Sequence, residues 1–173
     1  MQRHSRTMVC GLGASGAAAA RLLRAEGVPV LAVDERDTPE LRRNMAALAD
    51  LGCDLALGAQ APPPGDYDVA IVSPGLPADG PFLTAVRNRG LPLVSEMELG
   101  WSRFKGRTIA VTGSNGKSSV VKALAECLAA AGPTAVPCGN YGLPVCQAVM
   151  ESPMADWLVI EASSFQLETC AEF

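Results

Sequence analysis

TMVCGLGASGAAAARLL, residues 7–23, admits two readings, and the choice between them sets the fold. Basic residues precede it, an apolar stretch runs through it and small residues follow, a layout that superficially resembles a secretory signal. Gly11, Gly13 and Gly16 would interrupt the apolar segment of such a signal. The stretch reads better as a strand (TMVC), a glycine turn and a helix over Ser15–Glu26. The glycines keep G-x-G-x-x-G spacing, in which glycine permits a sharp turn and close backbone approach, and the helix N-terminus offers N–H groups to an anion. Asp34 ends the next strand about 20 residues on, where a carboxylate accepts hydrogen bonds from a ribose or a base. Spacing alone does not separate a nicotinamide dinucleotide from any other diphosphate ligand.

Outward from this unit, short apolar runs alternate with helical patterns, as in a parallel α/β sheet. VPVLAV, a helix near Pro39–Leu51, DLAL, YDVAIV, a helix near Pro81–Asn88 and LPLV follow in order. VSPG (72–75) falls after the fourth strand, at the carboxyl edge where doubly wound sheets bind ligands, and APPPGD (61–66) is a rigid surface connection. After a helix in SEMELGWSRF the pattern restarts with RTIAVT, a glycine loop, a helix from about Lys117 to Ala131, TAVPC, a short helix and DWLVIE. We expect a Rossmann-like domain over 1–95, a linker over 96–106 and a second α/β unit over 107–173.

The second loop, VTGSNGKSS (111–119), departs from G-x-x-x-x-G-K-[ST] because Val111 stands where the first glycine belongs. Its context is nonetheless that of a phosphate loop, a buried strand leading into an alanine- and leucine-rich helix. Backbone N–H groups there cradle phosphate oxygens, Lys117 reaches the β- and γ-phosphates, and Ser118 is available to Mg²⁺. WLVIE delivers Glu161 to a strand end, where a carboxylate holds a magnesium ion that bridges phosphates. Lys117 and Glu161 are therefore the candidate catalytic residues, with Ser118 and Glu161 as metal ligands and Gly113, Ser114, Asn115, Gly116, Lys117, Ser118 and Ser119 as the ATP loop.

Composition narrows the partners. The chain has 173 residues, 49% of them hydrophobic, enough for a real core. Net charge is −4 without a lysine or arginine run, so the footprint of a nucleic-acid binder is missing. No run reaches the roughly 18 apolar residues of a membrane span. Six scattered cysteines and the single histidine, His4, suggest neither a zinc site nor a disulfide framework. A monomer in a reducing cytoplasm, acting on small molecules, is the expectation.

VTGSNGKSS, GNYGLP (139–144) and EASSFQLE (161–168), in this order and spacing, resemble the Mur ligases of peptidoglycan synthesis, whose phosphate loop has the shorter G-[ST]-[NK]-G-K-[ST] form. GLGASG ahead of that loop places the resemblance nearest to the members that add D-glutamate to UDP-N-acetylmuramoyl-L-alanine. Ser119 departs from the threonine common in the family but keeps the hydroxyl. The resemblance implies that the first domain holds the UDP moiety, with Gly11, Gly13, Ala14, Ser15 and Gly16 about the diphosphate and Asp34, Glu35, Arg36 and Gly75 near the uridine. It implies further that Asn140, Ser163, Ser164 and Gln166 lie beside the substrate. It implies an ATP- and Mg²⁺-dependent reaction in which the L-alanyl carboxylate becomes an acyl phosphate and the amine of D-glutamate displaces phosphate.

By the same resemblance 107–173 is the first part of a P-loop ATPase domain and the chain reads as the N-terminal part of a longer enzyme, inactive alone, with strand edges left unpaired after about residue 100. Two alternatives stay open. An NAD-binding oxidoreductase or sensing module accounts for Gly11–Gly16 but leaves GSNGKSS and EASSFQLE unexplained. A non-catalytic UDP-sugar-binding module accounts for the first domain alone.

Overall fold

The computed structural model describes residues 6–173, so His4 lies outside the described part. Thr7–Cys10 (β1), Ala14–Ala25 (α1), Val30–Asp34 (β2), Pro39–Asp50 (α2), Asp54–Leu57 (β3), Val69–Val72 (β4), Pro81–Asn88 (α3) and Leu93–Ser95 (β5) build a first sheet and its helices. Its five strands are all parallel and lie in the order β3-β2-β1-β4-β5. The stretch weighed as a secretory signal is thus the central strand and its following helix, with Met8, Val9 and Cys10 fully buried.

Period-2 alternation feeds two cores. Val9, Val30, Ala32, Val69 and Ile71 point to one face, where they meet Ala17–Ala20 and Leu23 of α1 and Leu41, Met45 and Leu48 of α2. Met8, Leu31, Val33, Ala70 and Val72 point to the other and meet Phe82, Leu83 and Val86 of α3. Burial on both faces is why these strands are continuous apolar runs. Helix α2 starts where it does because the Thr38 hydroxyl accepts from Leu41 N–H at 3.1 Å and Pro39 fills the first turn. The parting of connections between β1 and β4 opens a crevice at their carboxyl ends.

Glu96–Trp101 (α4) follows β5 directly, then Arg107–Val111 (β6), Lys117–Ala130 (α5), Ala135–Gly139 (β7), Val145–Glu151 (α6), Trp157–Glu161 (β8) and Ser164–Leu167 (α7). The second sheet is also parallel, in the order β6-β8-β7, with β6 and β7 at its edges. The 96–106 stretch is packed rather than extended. Met97 and Leu99 of α4 are fully buried, and α4 lies against both α1 and α6. Leu99 and Cys146 of α6 belong to the same apolar cluster as Val9 and α1. The Arg103 guanidinium forks onto Glu26 at the end of α1, at 3.0 and 3.1 Å.

Candidate functional site

Two glycine loops stand at the carboxyl edges of the two sheets. In the first, β1 ends at Cys10 and the chain turns through Gly11–Gly13 into α1. Gly16 packs so tightly under this turn that a Cβ built on it would lie 1.8 Å from the Gly11 carbonyl oxygen. Gly13 is the opposite case: it is exposed, and a Cβ there would meet nothing within 4 Å. It caps α1 without a side-chain hydrogen bond, so the first-turn N–H groups of Ala14 and Ser15 depend on an outside acceptor. Gly11, Gly13, Asp34, Glu35, Arg36 and Gly75 line one cleft of about 330 Å³, bounded also by Ser73, Leu76 and Pro77. Gly13 and Ala14 also border a neighbouring cleft of about 420 Å³ that reaches Arg21, Asn44 and Gln147.

Asp34 does something its position in the sequence does not announce. Its Oδ2 accepts Leu12 N–H at 2.7 Å and the Arg36 guanidinium at 3.1 Å, while Oδ1 accepts Arg36 N–H at 2.9 Å and Nε at 3.0 Å. The carboxylate expected to face a ribose is already bound to the protein, bracing the glycine turn from below. Burial alone would push its pKa up, but the Arg36 guanidinium and the Leu12 and Arg36 N–H groups outweigh burial and hold it below the ordinary value. The exposed part of the pair is Arg36, whose side chain is 65% accessible. Asp34→Ala leaves the Leu12 N–H buried without its acceptor, and a loss of about 1–3 kcal/mol in urea denaturation is expected. Because the folded pKa is lowered, the Asp34 contribution is present at neutral pH and lost as pH falls from 3.8 through the folded value. An unchanged denaturation midpoint in the alanine variant would show the brace to be idle.

The second loop gains its order from strand register. Val111, Glu161 and Gly139 are partners across β6, β8 and β7, so three segments distant in sequence end in one row. Beyond that row the chain enters α5 through Gly116 at φ +76°, a left-handed conformation that side chains rarely adopt. The Ser118 hydroxyl then donates to Glu161 Oε2 at 2.7 Å, and Asn140 Nδ2 donates to Glu161 Oε1 at 3.0 Å. Lys117 Nζ bends back over the loop and donates to the Gly113 carbonyl at 2.7 Å. Ser114, Asn115 and Ser119 are exposed around it. As a donor set for a cation, one carboxylate and one hydroxyl are hard oxygen ligands that suit Mg²⁺, which keeps several waters or phosphate oxygens of its own. Among the described residues no group of three or more His, Cys, Asp or Glu could hold a metal ion unaided.

The residues expected about a substrate are therefore divided. Asn140 sits at Glu161, not at the first cleft. Ser163 and Gln166 form a capping box for α7: Gln166 N–H donates to Ser163 Oγ at 3.2 Å and Ser163 N–H to Gln166 Oε1 at 3.0 Å. The S-x-x-Q spacing carries that signature, and it stands in the sequence at 163–166. Ser164 is exposed on α7, and the buried Gln166 borders a small hollow that Ser73 and Leu76 share with the first cleft. A hollow of about 770 Å³ around Lys105, Arg107, Met154 and Trp157 lies at the amino-terminal edge of β6 and β8. Neither loop faces it, and parallel sheets of this type bind ligands at the other edge.

A doubly wound sheet with an anion-ready glycine turn, followed by a strand, phosphate-type loop and helix on a second parallel sheet, defines a Rossmann-like protein joined to a P-loop unit. Residues 5–95 match the model of the family described as "Mur ligase MurD-like, N-terminal domain", and the chain belongs to that family. It is 44% identical over 165 residues to a protein of Synechococcus sp. (strain JA-2-3B'a(2-13)) named UDP-N-acetylmuramoylalanine--D-glutamate ligase, across 92% of this chain and 34% of that protein. A protein of the same name from Koribacter versatilis is 36% identical over 172 residues, across 99% of this chain and 38% of the other. The chain thus spans about a third of the length of the curated relatives it matches. Among solved structures, UDP-N-acetylmuramate-alanine ligase MurC from Thermotoga maritima shares the fold, with a TM-score of 0.52 at 20% identity over 92% of this chain and 37% of that one. Among the described residues no helix is long and apolar enough to cross a membrane.

Proposed function

We propose that this chain supplies the UDP-substrate cleft and the phosphate loop of an ATP-dependent ligase that joins D-glutamate to UDP-N-acetylmuramoyl-L-alanine. The observation that carries the reading is the convergence of Ser118, Glu161 and Asn140 at the carboxyl edge of the second sheet, beside Lys117. In this reading, residues 107–173 belong to a nucleotide domain and residues 1–95 to the UDP-sugar domain, acting as a cytoplasmic monomer. The names of the relatives supply the substrates; the geometry supports the division of labour.

Chemically, an oxygen of the L-alanyl carboxylate attacks the γ-phosphorus of ATP, and the bond to the β,γ-bridging oxygen breaks to release ADP. The amine of D-glutamate then attacks the acyl carbon, gives up a proton and expels phosphate as the amide forms. The loop N–H groups and the Lys117 ammonium stabilise the charge on the transferred group and hold it in line. A Mg²⁺ ion held by Ser118 and Glu161 would add charge neutralisation at the phosphate oxygens. At the first cleft, Gly13 and the start of α1 take the diphosphate, and Arg36 with Glu35 and Gly75 borders the uridine.

The occupied Asp34 carboxylate counts against the nicotinamide alternative, since a ribose diol would have to displace Leu12 N–H or Arg36 to reach it. Calorimetric titration of the 173-residue chain is expected to show binding of UDP-N-acetylmuramoyl-L-alanine, weaker binding of UDP and none of NAD at matched concentrations. Preferential NAD binding would sink the assignment.

A further inference from the structure

Helix α4 carries two buried carboxylates whose surroundings differ. Glu98 is 3% exposed, and both its oxygens accept backbone N–H groups of the segment after α7, Ala171 at 2.9 Å and Glu172 at 2.7 Å. Glu96 is 1% exposed, and only Oε1 is paired, accepting Cys146 N–H at 2.6 Å where α6 begins. Its Oε2 is buried without a hydrogen-bond partner. A buried carboxylate is comfortable when several N–H groups serve it; one that keeps a bare oxygen is favoured in its neutral form.

The neighbours offer little charge compensation. From α6 and β7 come the thiols of Cys146 and Cys138, both pushed above their ordinary value, first by burial and then by Glu96 itself. Arg103 and Glu26, which act on Cys146 from either side, are forked onto each other. Cys170 faces Ser95 at 3.1 Å, and Glu98 is committed to its own N–H donors. Beside Glu96 lies a hollow of about 10 Å³ lined also by Ser73, Ser95, Gln166 and Thr169, room for about one water.

We propose that Glu96 is a protonation-sensitive pin between the two sheets: uncharged, it fixes the start of α6 on α4, and ionised, it draws in water and loosens that contact together with the 140–144 loop that carries Asn140. Burial pushes the Glu96 carboxyl from 4.5 up to about 7, against the lowering effects of the Cys146 N–H and the Cys146 thiol. Since the folded value lies above the unfolded one, the stability tied to this proton is complete below pH 4.5 and is lost as pH rises to about 7. Tenfold per pH unit over that window is roughly a 300-fold fall in the folded-to-unfolded ratio, flat above it.

The test is a carboxyl-carbon NMR titration of the ¹³C-labelled 173-residue protein from pH 4 to 9, with amide exchange followed in parallel. One glutamate resonance should titrate near pH 7, with the Cys146 amide moving alongside, and should vanish in Glu96→Gln. Denaturation of Glu96→Gln should lack the component of pH dependence between 4.5 and 7 that the parent shows. If that variant does not fold, the parent decides: exchange protection at Gly139–Val149 should fall between pH 4.5 and 7 and level off above it. A Glu96 carboxyl titrating in the ordinary carboxylate range, or protection at Gly139–Val149 that stays constant across that window, overturns the proposal.

Discussion

Replacing Lys117 with alanine is expected to cut ATP-dependent ligation by roughly 100- to 1,000-fold in an enzyme carrying this chain, while affinity for the UDP substrate stays nearly constant. One preorganised donor aimed at developing charge is worth that much because it acts where water is excluded and needs no reorganisation as the phosphoryl group moves. Lys117 is well placed for the role: it opens α5 immediately after Gly116, and its ammonium already lies over the loop on the Gly113 carbonyl. The first cleft is formed by the other sheet, so under the proposed function the two ligands would draw on separate residues. Steady-state rates of ADP release and amide formation, set beside calorimetric affinity for the UDP substrate, measure the split. A matching loss of UDP-substrate affinity would merge the two sites and defeat the assignment.

Gly16→Ala should be the most damaging single methyl in the first sheet. Its Cβ would sit 1.8 Å from the Gly11 carbonyl oxygen, and contacts under 3.0 Å do not occur, so turn and helix must part by more than an ångström. The obstacle is backbone, which cannot rotate aside as a side chain would. Overpacking of this kind costs about 3 kcal/mol or more, and in a chain of this length the melting temperature should drop by roughly 6–12 °C. Gly13→Ala is the informative partner. At φ −75° it is unstrained and its Cβ meets nothing within 4 Å, so melting should move by no more than about 1–2 °C. That methyl nevertheless enters the space over the helix N-terminus, and UDP-ligand affinity should fall roughly tenfold. Equal melting temperatures for the two variants would contradict the packing described here.

The glycine turn, both Lys117 and Ser118, and Glu161 were readable from sequence because strand-end positions follow from period and length. A strand of five residues that begins at Trp157 must finish at Glu161, whatever surrounds it. The pairing that puts Glu161 between Val111 and Gly139 was not readable, because register is settled by tertiary packing across segments more than twenty residues apart. Asp34 shows the boundary well. Its place at the end of β2 was legible, but its partners were not, since Leu12 N–H reaches it only once the turn has folded. Glu96 and Glu98 read like any acidic pair near a helix start; their burial depends on α6 and the 171–172 segment arriving from elsewhere. The capping box at Ser163–Gln166 was legible in principle, as S-x-x-Q, and was obscured by the functional meaning attached to the same residues.

The apolar cluster that Leu99 and Cys146 share with the alanine face of α1 makes the two sheets one thermodynamic unit. Ala17–Ala20 present so little bulk that α6 and α4 can lie close against them, and a chain divided after Ser95 would bare that face to water. Heat should therefore melt both halves in one cooperative step rather than two. Whatever binds at either glycine loop then stabilises the other through mass action alone, by about 2.7 kcal/mol when its concentration stands at 100 times its dissociation constant. Occupancy at one edge protects the other against unfolding, with no moving part required between them.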